Sequence, residues 1–235
     1  MHAGFSDALP PEEWPLQPGM LADYQLSFLD LLLERQALRF GDFTLKSGRK
    51  SPYFINTGCF HFGGDLDRLG AAYAALVAER VGDDVDLVFG PAYKGIPLAL
   101  ACARAYEDLV GRPVGWTYDR KEVKDHGDGG SFVGAPLADG AKVVIVDVVM
   151  NAGTAIRECM AKLEDLPVTV AGIVIAVDRE ERGTGTERAS AEISTTYGVP
   201  VHAIIGIGEA VEVLAEKGAL TRDDLARIEA YRSGS

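Results

Sequence analysis

The sequence predicts an α/β domain built on a central, mainly parallel sheet flanked by helices. Three observations carry that prediction. Short aliphatic runs such as "DVDLVFG", "AKVVIVDVV" and "TVAGIVIAVDRE" alternate with segments of helical length, the pattern of parallel strands joined by helical crossovers. The loops richest in charge or glycine, "GPAYKG", "DRKEVKDHGDGG" and "NAGTA", each follow a predicted strand, and ligands of such sheets bind where the carboxyl ends of strands meet loops. Finally, a chain of 235 residues supports one sizeable core, and no repeat or linker divides it.

The elements follow in order. Residues 21–40 carry Leu26, Phe28, Leu29, Leu31, Leu32, Leu33 and Leu38, a broad apolar face at helical spacing. The stretch "RFGDFTLKSGRKSPYFINTG" alternates apolar and polar residues between Gly and Pro, like a short hairpin. A helix is predicted over 65–82, with Asp65 as its N-cap and Gly82 as its stop. Strand 84–90 then leads through "PAYKG" into an apolar helix over 96–111. Strand 113–120 opens into an exposed excursion over 121–137. Residues 141–149 form the most strand-like run, followed by a helix over 153–166, a strand over 169–180, a helix over 190–198 and a strand over 199–208. The tail is helical to Arg232.

Composition narrows the function. Hydrophobic residues make up 47% and charged residues 25%, as in ordinary globular domains. No apolar run reaches the roughly 18 residues of a membrane span, so no membrane partner is expected. Residues 1–20 lack the basic and apolar regions of a signal peptide and read as a loose leader, with Met20 available as an alternative start. Cys59, Cys102 and Cys159 lie far apart, which suits buried thiols in a reducing compartment and predicts a cytoplasmic protein. A formal charge of -12 argues against nucleic acid as a partner.

Against that acidic background the local cations stand out. "DRKEVKDHGDGG" places Arg120, Lys121, Lys124 and His126 within seven positions, backed by Gly127, Gly129 and Gly130. Such a loop is able to close over a pyrophosphate and offset its charge; its interleaved acids equally suit a solvated loop. Lys94 in "PAYKG" stands just past a strand end, in position for phosphate or simply for solvent. In "NAGTA", Gly153 permits close backbone approach, and the following helix N-terminus with the Thr154 hydroxyl suits a phosphomonoester. The same residues equally make a tight strand–helix turn with Thr154 as N-cap.

Taken together, "FGDFTLKSGRKSPYFIN", "FGPAYKGIPLA", "DRKEVKDHGDGGSFVGAPL", "VVIVDVVMNAGTAIRE" and "VDREERGTG" resemble the orotate phosphoribosyltransferases in their bacterial form, over Leu21 to Tyr231. The resemblance implies a type I phosphoribosyltransferase fold over 21–235, with a small N-terminal hood subdomain drawn largely from 21–62. It implies transfer from 5-phosphoribosyl 1-diphosphate to orotate, with Mg²⁺ carried by the diphosphate rather than by protein ligands. By position, Lys46 and the Phe54–Ile55 pair (Phe54, Ile55) would border orotate, and Arg179 would meet its carboxylate or ring oxygens. Tyr93 and Lys94 would contact the diphosphate. Arg120, Lys121, Lys124 and His126 would form a catalytic loop reaching into the neighbouring subunit's site, which makes the expected assembly a homodimer. Lys124 and His126 are alternative general acids for the departing pyrophosphate. The run Asp147, Val148, Val149, Met150, Asn151, Ala152, Gly153, Thr154 and Ala155 would cradle ribose and 5-phosphate.

The chain departs from its family at two positions. The pattern implies two adjacent acids at this strand end and a threonine three residues after the second. Here Asp147 is the first acid, Val148 stands at the second and Asn151 at the threonine. A hydrogen bond to a charged group contributes about 1.5–3 kcal/mol, so a weakened site is expected. Two other functions would use the same parts. A non-catalytic sensor of phosphoribosyl diphosphate suits Val148 but has little need of the "RKEVKDHGDGG" loop. A transferase for another base leaves Lys46 and Arg179 without a carboxylate to meet.

Overall fold

The computed structural model describes residues 21–45, 48–124, 130–150, 153–183 and 185–233, with backbone alone for Val123 and Lys124. Helix α1 spans Asp23–Glu34 and buries Phe28, Leu29, Leu31 and Leu32. It stops short of the predicted 40 because Gln36 adopts a positive φ of 52°. The Gln36 N–H then donates to Leu33 O and the Ala37 N–H to Leu32 O, a Schellman closure made without the glycine that usually marks one. The chain turns at once into β1 (Leu38–Thr44), which pairs antiparallel with β2 (Lys50–Ile55).

Helix α2 (Gly63–Arg80) starts two residues before the expected position. Asp65 is its third residue rather than its N-cap: the carboxylate accepts the Phe62 N–H at 3.3 Å and pairs with Arg35 of the preceding turn at 2.7 Å. Then follow β3 (Leu87–Phe89), α3 (Gly95–Val110), β4 (Gly115–Lys124), β5 (Gly130–Gly134), β6 (Lys142–Val149), α4 (Thr154–Leu163), β7 (Thr169–Asp178), α5 (Ala189–Tyr197) and β8 (Val201–Gly206). The expected excursion over 121–137 is in part a β-hairpin, since β5 pairs antiparallel with β4 from Thr117↔Gly134 to Lys124↔Gly130. The strand expected to reach 208 ends at Gly206, where α6 (Ile207–Glu216) begins. Glu209 accepts the Gly206 N–H at 2.7 Å and Gly218 closes the helix with φ 68°. Helix α7 (Arg222–Ser233) completes the chain.

The main sheet has the order β5-β4-β3-β6-β7-β8, parallel except for β5. Its central strands are buried on both faces, as parallel strands require. Val144, Val146 and Val148 face a core shared with α1, α2, α3 and α6. Val143 and Ile145 face a second cluster with Ile156 and Cys159 of α4 and Ile193 of α5. Among the described residues no helix is long and apolar enough to cross a membrane, and all three cysteines are free.

Candidate active site

The chain leaves β3 for β4 on one side and returns to β6 on the other, so the strand order reverses between β3 and β6. A crevice opens outside the carboxyl ends of two such strands, and ligands of open α/β sheets lie in it. Here those ends carry "GPAYKG" and the run through Gly153, two of the three loops singled out by sequence.

The first loop is held on every side. Gly90 N–H donates to Thr117 O at 3.0 Å, and Gly95 N–H to Pro91 O at 2.9 Å. Asp119, 3% exposed, accepts the Ala92 N–H at 2.7 Å and pairs with Lys162 of α4. Gly90 and Gly95 touch through their backbones: a Cβ on Gly90 would fall 2.1 Å from Gly95 O, and one on Gly95 would fall 2.7 Å from Gly90 C. The outcome is a narrow turn that leaves Tyr93 and Lys94 exposed, with Lys94 as the N-cap residue of α3.

At the end of β6, the buried Tyr73 hydroxyl donates to Asp147 O at 2.7 Å, and Val148 N–H donates to Asp147 Oδ1 at 2.7 Å. Burial pushes the Asp147 carboxyl above its ordinary value, opposed by that N–H and by the charge of Lys94. Gly153 is the N-cap of α4 with φ 72°, and Thr154 is its first helical residue rather than its cap. The N–H groups of a helix's first turn have no partner within the helix, which makes this terminus an anion site in the general sense. Val149 is half-buried and Met150 buried, so of these two residues it is the backbone, not the side chains, that has polar groups for a ligand.

A carboxyl whose folded-state pKa is raised gives stability at low pH that is lost as pH rises through that pKa. Asp147→Asn is therefore expected to raise the melting temperature of the ligand-free protein at neutral pH by about 2 °C. The difference should vanish below the ordinary carboxylate range. Thermal melts of both proteins across pH check this; a variant less stable at neutral pH would contradict it.

Beyond β7, Arg179 is 6% exposed and binds Glu181 Oε1 through Nη2 at 2.6 Å and Nε at 3.0 Å. Its guanidinium lies 4.9 Å from the centre of the Tyr53 ring. On β2 it is thus Tyr53 whose side chain reaches Arg179. Phe54 lies on the opposite face of the hairpin, stacked on Phe43 at 5.5 Å and covered by Arg39, and Ile55 packs into the core. At the end of β4, Arg120 is half-buried and Lys121 is exposed, 3.4 Å from Glu158 of α4. Lys46, His126, Asn151, Ala152 and the leader lie outside the described residues, as does the Lys124 side chain. Sequence reading missed Asp119, Tyr73, Glu181 and Tyr231. Glu181 stands in plain view in "DREERG", but the others carry no local signal.

Among the described residues no cluster of three or more His, Cys, Asp or Glu could hold a metal. An ion that arrives on a substrate's phosphates needs no such cluster, because Mg²⁺ usually keeps several waters and binds the phosphates themselves.

The reversal point with its two anion-ready loops makes this an α/β fold suited to a phosphate-bearing ligand, and the phosphoribosyl transferase domain family matches residues 65–204. The chain is 50% identical over 210 residues to the orotate phosphoribosyltransferase of Thioalkalivibrio sulfidiphilus, covering 89% of this chain and 97% of that one. It is 50% identical over 200 residues to that of Bifidobacterium adolescentis, covering 82% and 87%. The crystal structure of the Francisella tularensis orotate phosphoribosyltransferase matches with a TM-score of 0.77 at 37% identity, covering 88% and 98%. The chain belongs to the orotate phosphoribosyltransferase family.

Proposed function

We propose that the protein transfers the phosphoribosyl group of 5-phosphoribosyl 1-diphosphate to orotate, giving orotidine 5'-phosphate and diphosphate for pyrimidine synthesis. The observation that carries this reading is the pair of loops at the β3/β6 reversal point, one bearing Lys94 and the other Asp147 and the α4 N-terminus. Lys94, with Tyr93 beside it, meets the diphosphate. The first turn of α4 takes the 5-phosphate. Asp147 accepts from ribose hydroxyls, and Lys46 and Arg179 meet the carboxylate and ring oxygens of orotate.

Bond cleavage at C1 of ribose leaves a cationic sugar and concentrates negative charge on the departing diphosphate. Arg120, Lys121, Lys124 and His126 stabilise that charge, and either Lys124 or His126 donates the proton. Closure of the loop over the site keeps water from the sugar cation. Mg²⁺ carried on the diphosphate neutralises part of its charge when bound. The loop acts across a subunit boundary, so the working form is a homodimer, and the enzyme works in the cytoplasm.

The test is loss of orotate absorbance in the presence of donor and Mg²⁺, beside uracil and purine bases. Turnover of orotate alone is expected. Turnover of another base, or stabilisation by the donor with no product from any base, would overturn the reading.

A further inference from the structure

Arg179 is nearly buried, and a buried guanidinium is stable only with its charge matched and its donors placed. One carboxylate supplies both conditions. Glu181 Oε1 takes the two Arg179 bonds and accepts in addition from the Tyr53 hydroxyl at 3.2 Å and the Tyr231 hydroxyl at 2.9 Å. Glu181 Oε2 pairs with Arg49 Nη2 at 3.1 Å. Arg49 in turn donates through Nε to the Tyr231 hydroxyl at 2.8 Å and lies 4.5 Å from the centre of its ring. The Tyr53 and Tyr231 rings meet edge to face at 5.6 Å. Burial works against the charge on Glu181, but Arg179, Tyr231 and Arg49 outweigh it and hold the carboxyl below its ordinary range.

Three separate parts of the chain therefore converge on one oxygen: β2, the turn after β7, and α7. Helix α7 is tied down on both sides, by Arg232 to Glu180 and by Arg227 to Asp42 of β1 at 2.9 Å. Glu181 uses Nε and one N–H of Nη2, and a guanidinium has five donors in a planar fork. Among the described residues no other hydrogen bond engages Nη1 or the second Nη2 hydrogen, and these two suit a planar partner. The two arginines and one glutamate sum to a single positive charge, which matches one carboxylate on a base.

We propose that Glu181, clamped between Tyr53 and Tyr231, is the positioning residue for Arg179, so that α7 sets how tightly the carboxylate-bearing base is held. This rests on the reading of Arg179 as the partner of that carboxylate. Tyr231→Phe keeps the ring against Tyr53 and Arg49 and removes only the hydroxyl. It is expected to raise KM for orotate about five-fold while KM for the phosphoribosyl donor stays within about two-fold. Glu181→Gln should act in the same direction and more strongly.

The decisive measurement is a double-mutant cycle with Arg179→Ala, run with thermal melts of each variant. Once Arg179 is gone, removing the Tyr231 hydroxyl should have little further effect on KM for orotate, because its hold on Glu181 then has no Arg179 guanidinium to position. If Arg179→Ala raises KM for orotate but Tyr231→Phe does not, the positioning role fails while the base site stands. The same holds if the two effects simply add, or if Tyr231→Phe raises both KM values alike. If Arg179→Ala leaves KM for orotate unchanged, the base-site reading fails and the positioning role with it.

Discussion

Gly90→Ala is expected to lower kcat/KM by at least about a hundred-fold, since displacing a positioning loop by about 1 Å is enough for such a loss. The new Cβ would fall 2.1 Å from Gly95 O and 2.5 Å from Gly95 C, with the Ala99 Cβ at 2.8 Å. Neither wall yields readily. Gly90 is tied to β4 by its N–H bond to Thr117 O, and Gly95 begins α3. The strain therefore falls on residues 91–94, which carry Tyr93 and Lys94. Overpacking of this kind costs typically about 1–3 kcal/mol, so a lower melting temperature accompanies the loss. The specific signature is in binding. Titration calorimetry should show the phosphoribosyl diphosphate donor weakened far more than orotidine 5'-phosphate, which lacks the diphosphate. Equal weakening of both would mean general damage rather than loss of the diphosphate loop. Should the variant fail to fold, Gly95→Ala supplies the test with a longer 2.7 Å approach to Gly90 C.

Val148→Asp combined with Asn151→Thr is expected to raise kcat/KM for orotate about ten-fold, by adding a hydrogen bond to a charged group in the transition state. The structure adds a cost that sequence did not reveal. Val148 is 8% exposed and packs into the cluster that holds Val144, Val146 and helices α1–α3. Adjacent strand residues point to opposite faces, so an acid at 148 starts on the core side, away from Asp147, and must turn out of the core at the strand end to reach ribose. A carboxylate beside that cluster loses hydration, and the melting temperature should fall by about 5 °C. Steady-state kinetics and thermal melts on the double variant decide both halves. Faster turnover with lower stability is the expected pair. Unchanged kinetics would show that neither position limits the enzyme.

Much of the fold was legible because β6 and β7 are long aliphatic strands and α2 and α3 carry clean apolar faces. The errors have separate causes. The sequence predicts too long an α1 because its closing residue, Gln36, takes a left-handed conformation without being glycine. Helix α6 is absent from the sequence reading although Glu209, Glu212 and Glu216 recur at helical spacing opposite Ala210, Val211 and Leu214; only its first turn, inside the apolar run 203–208, hides where period two gives way to period 3.6. The start signal was nonetheless there, in Gly206 with Glu209 three residues on. Strand β5 was hidden because "GSFVG" is flanked by glycines and gains its identity only by pairing with β4.

The sequence by itself determined the chemistry available: cations after β3 and β4, an acid and a helix N-terminus after β6, an arginine after β7. These are properties of short segments, set by residue type and local spacing. Only the tertiary structure decided which of them meet. Asp119 holds the 90–95 loop through Ala92, Tyr73 anchors Asp147, and Tyr231 reaches Glu181 from the last helix. It also decided that Val148 faces the core and that Tyr53, rather than Phe54, turns to Arg179. Such pairings join residues far apart in the chain, and strand order and register create them; no local pattern carries either.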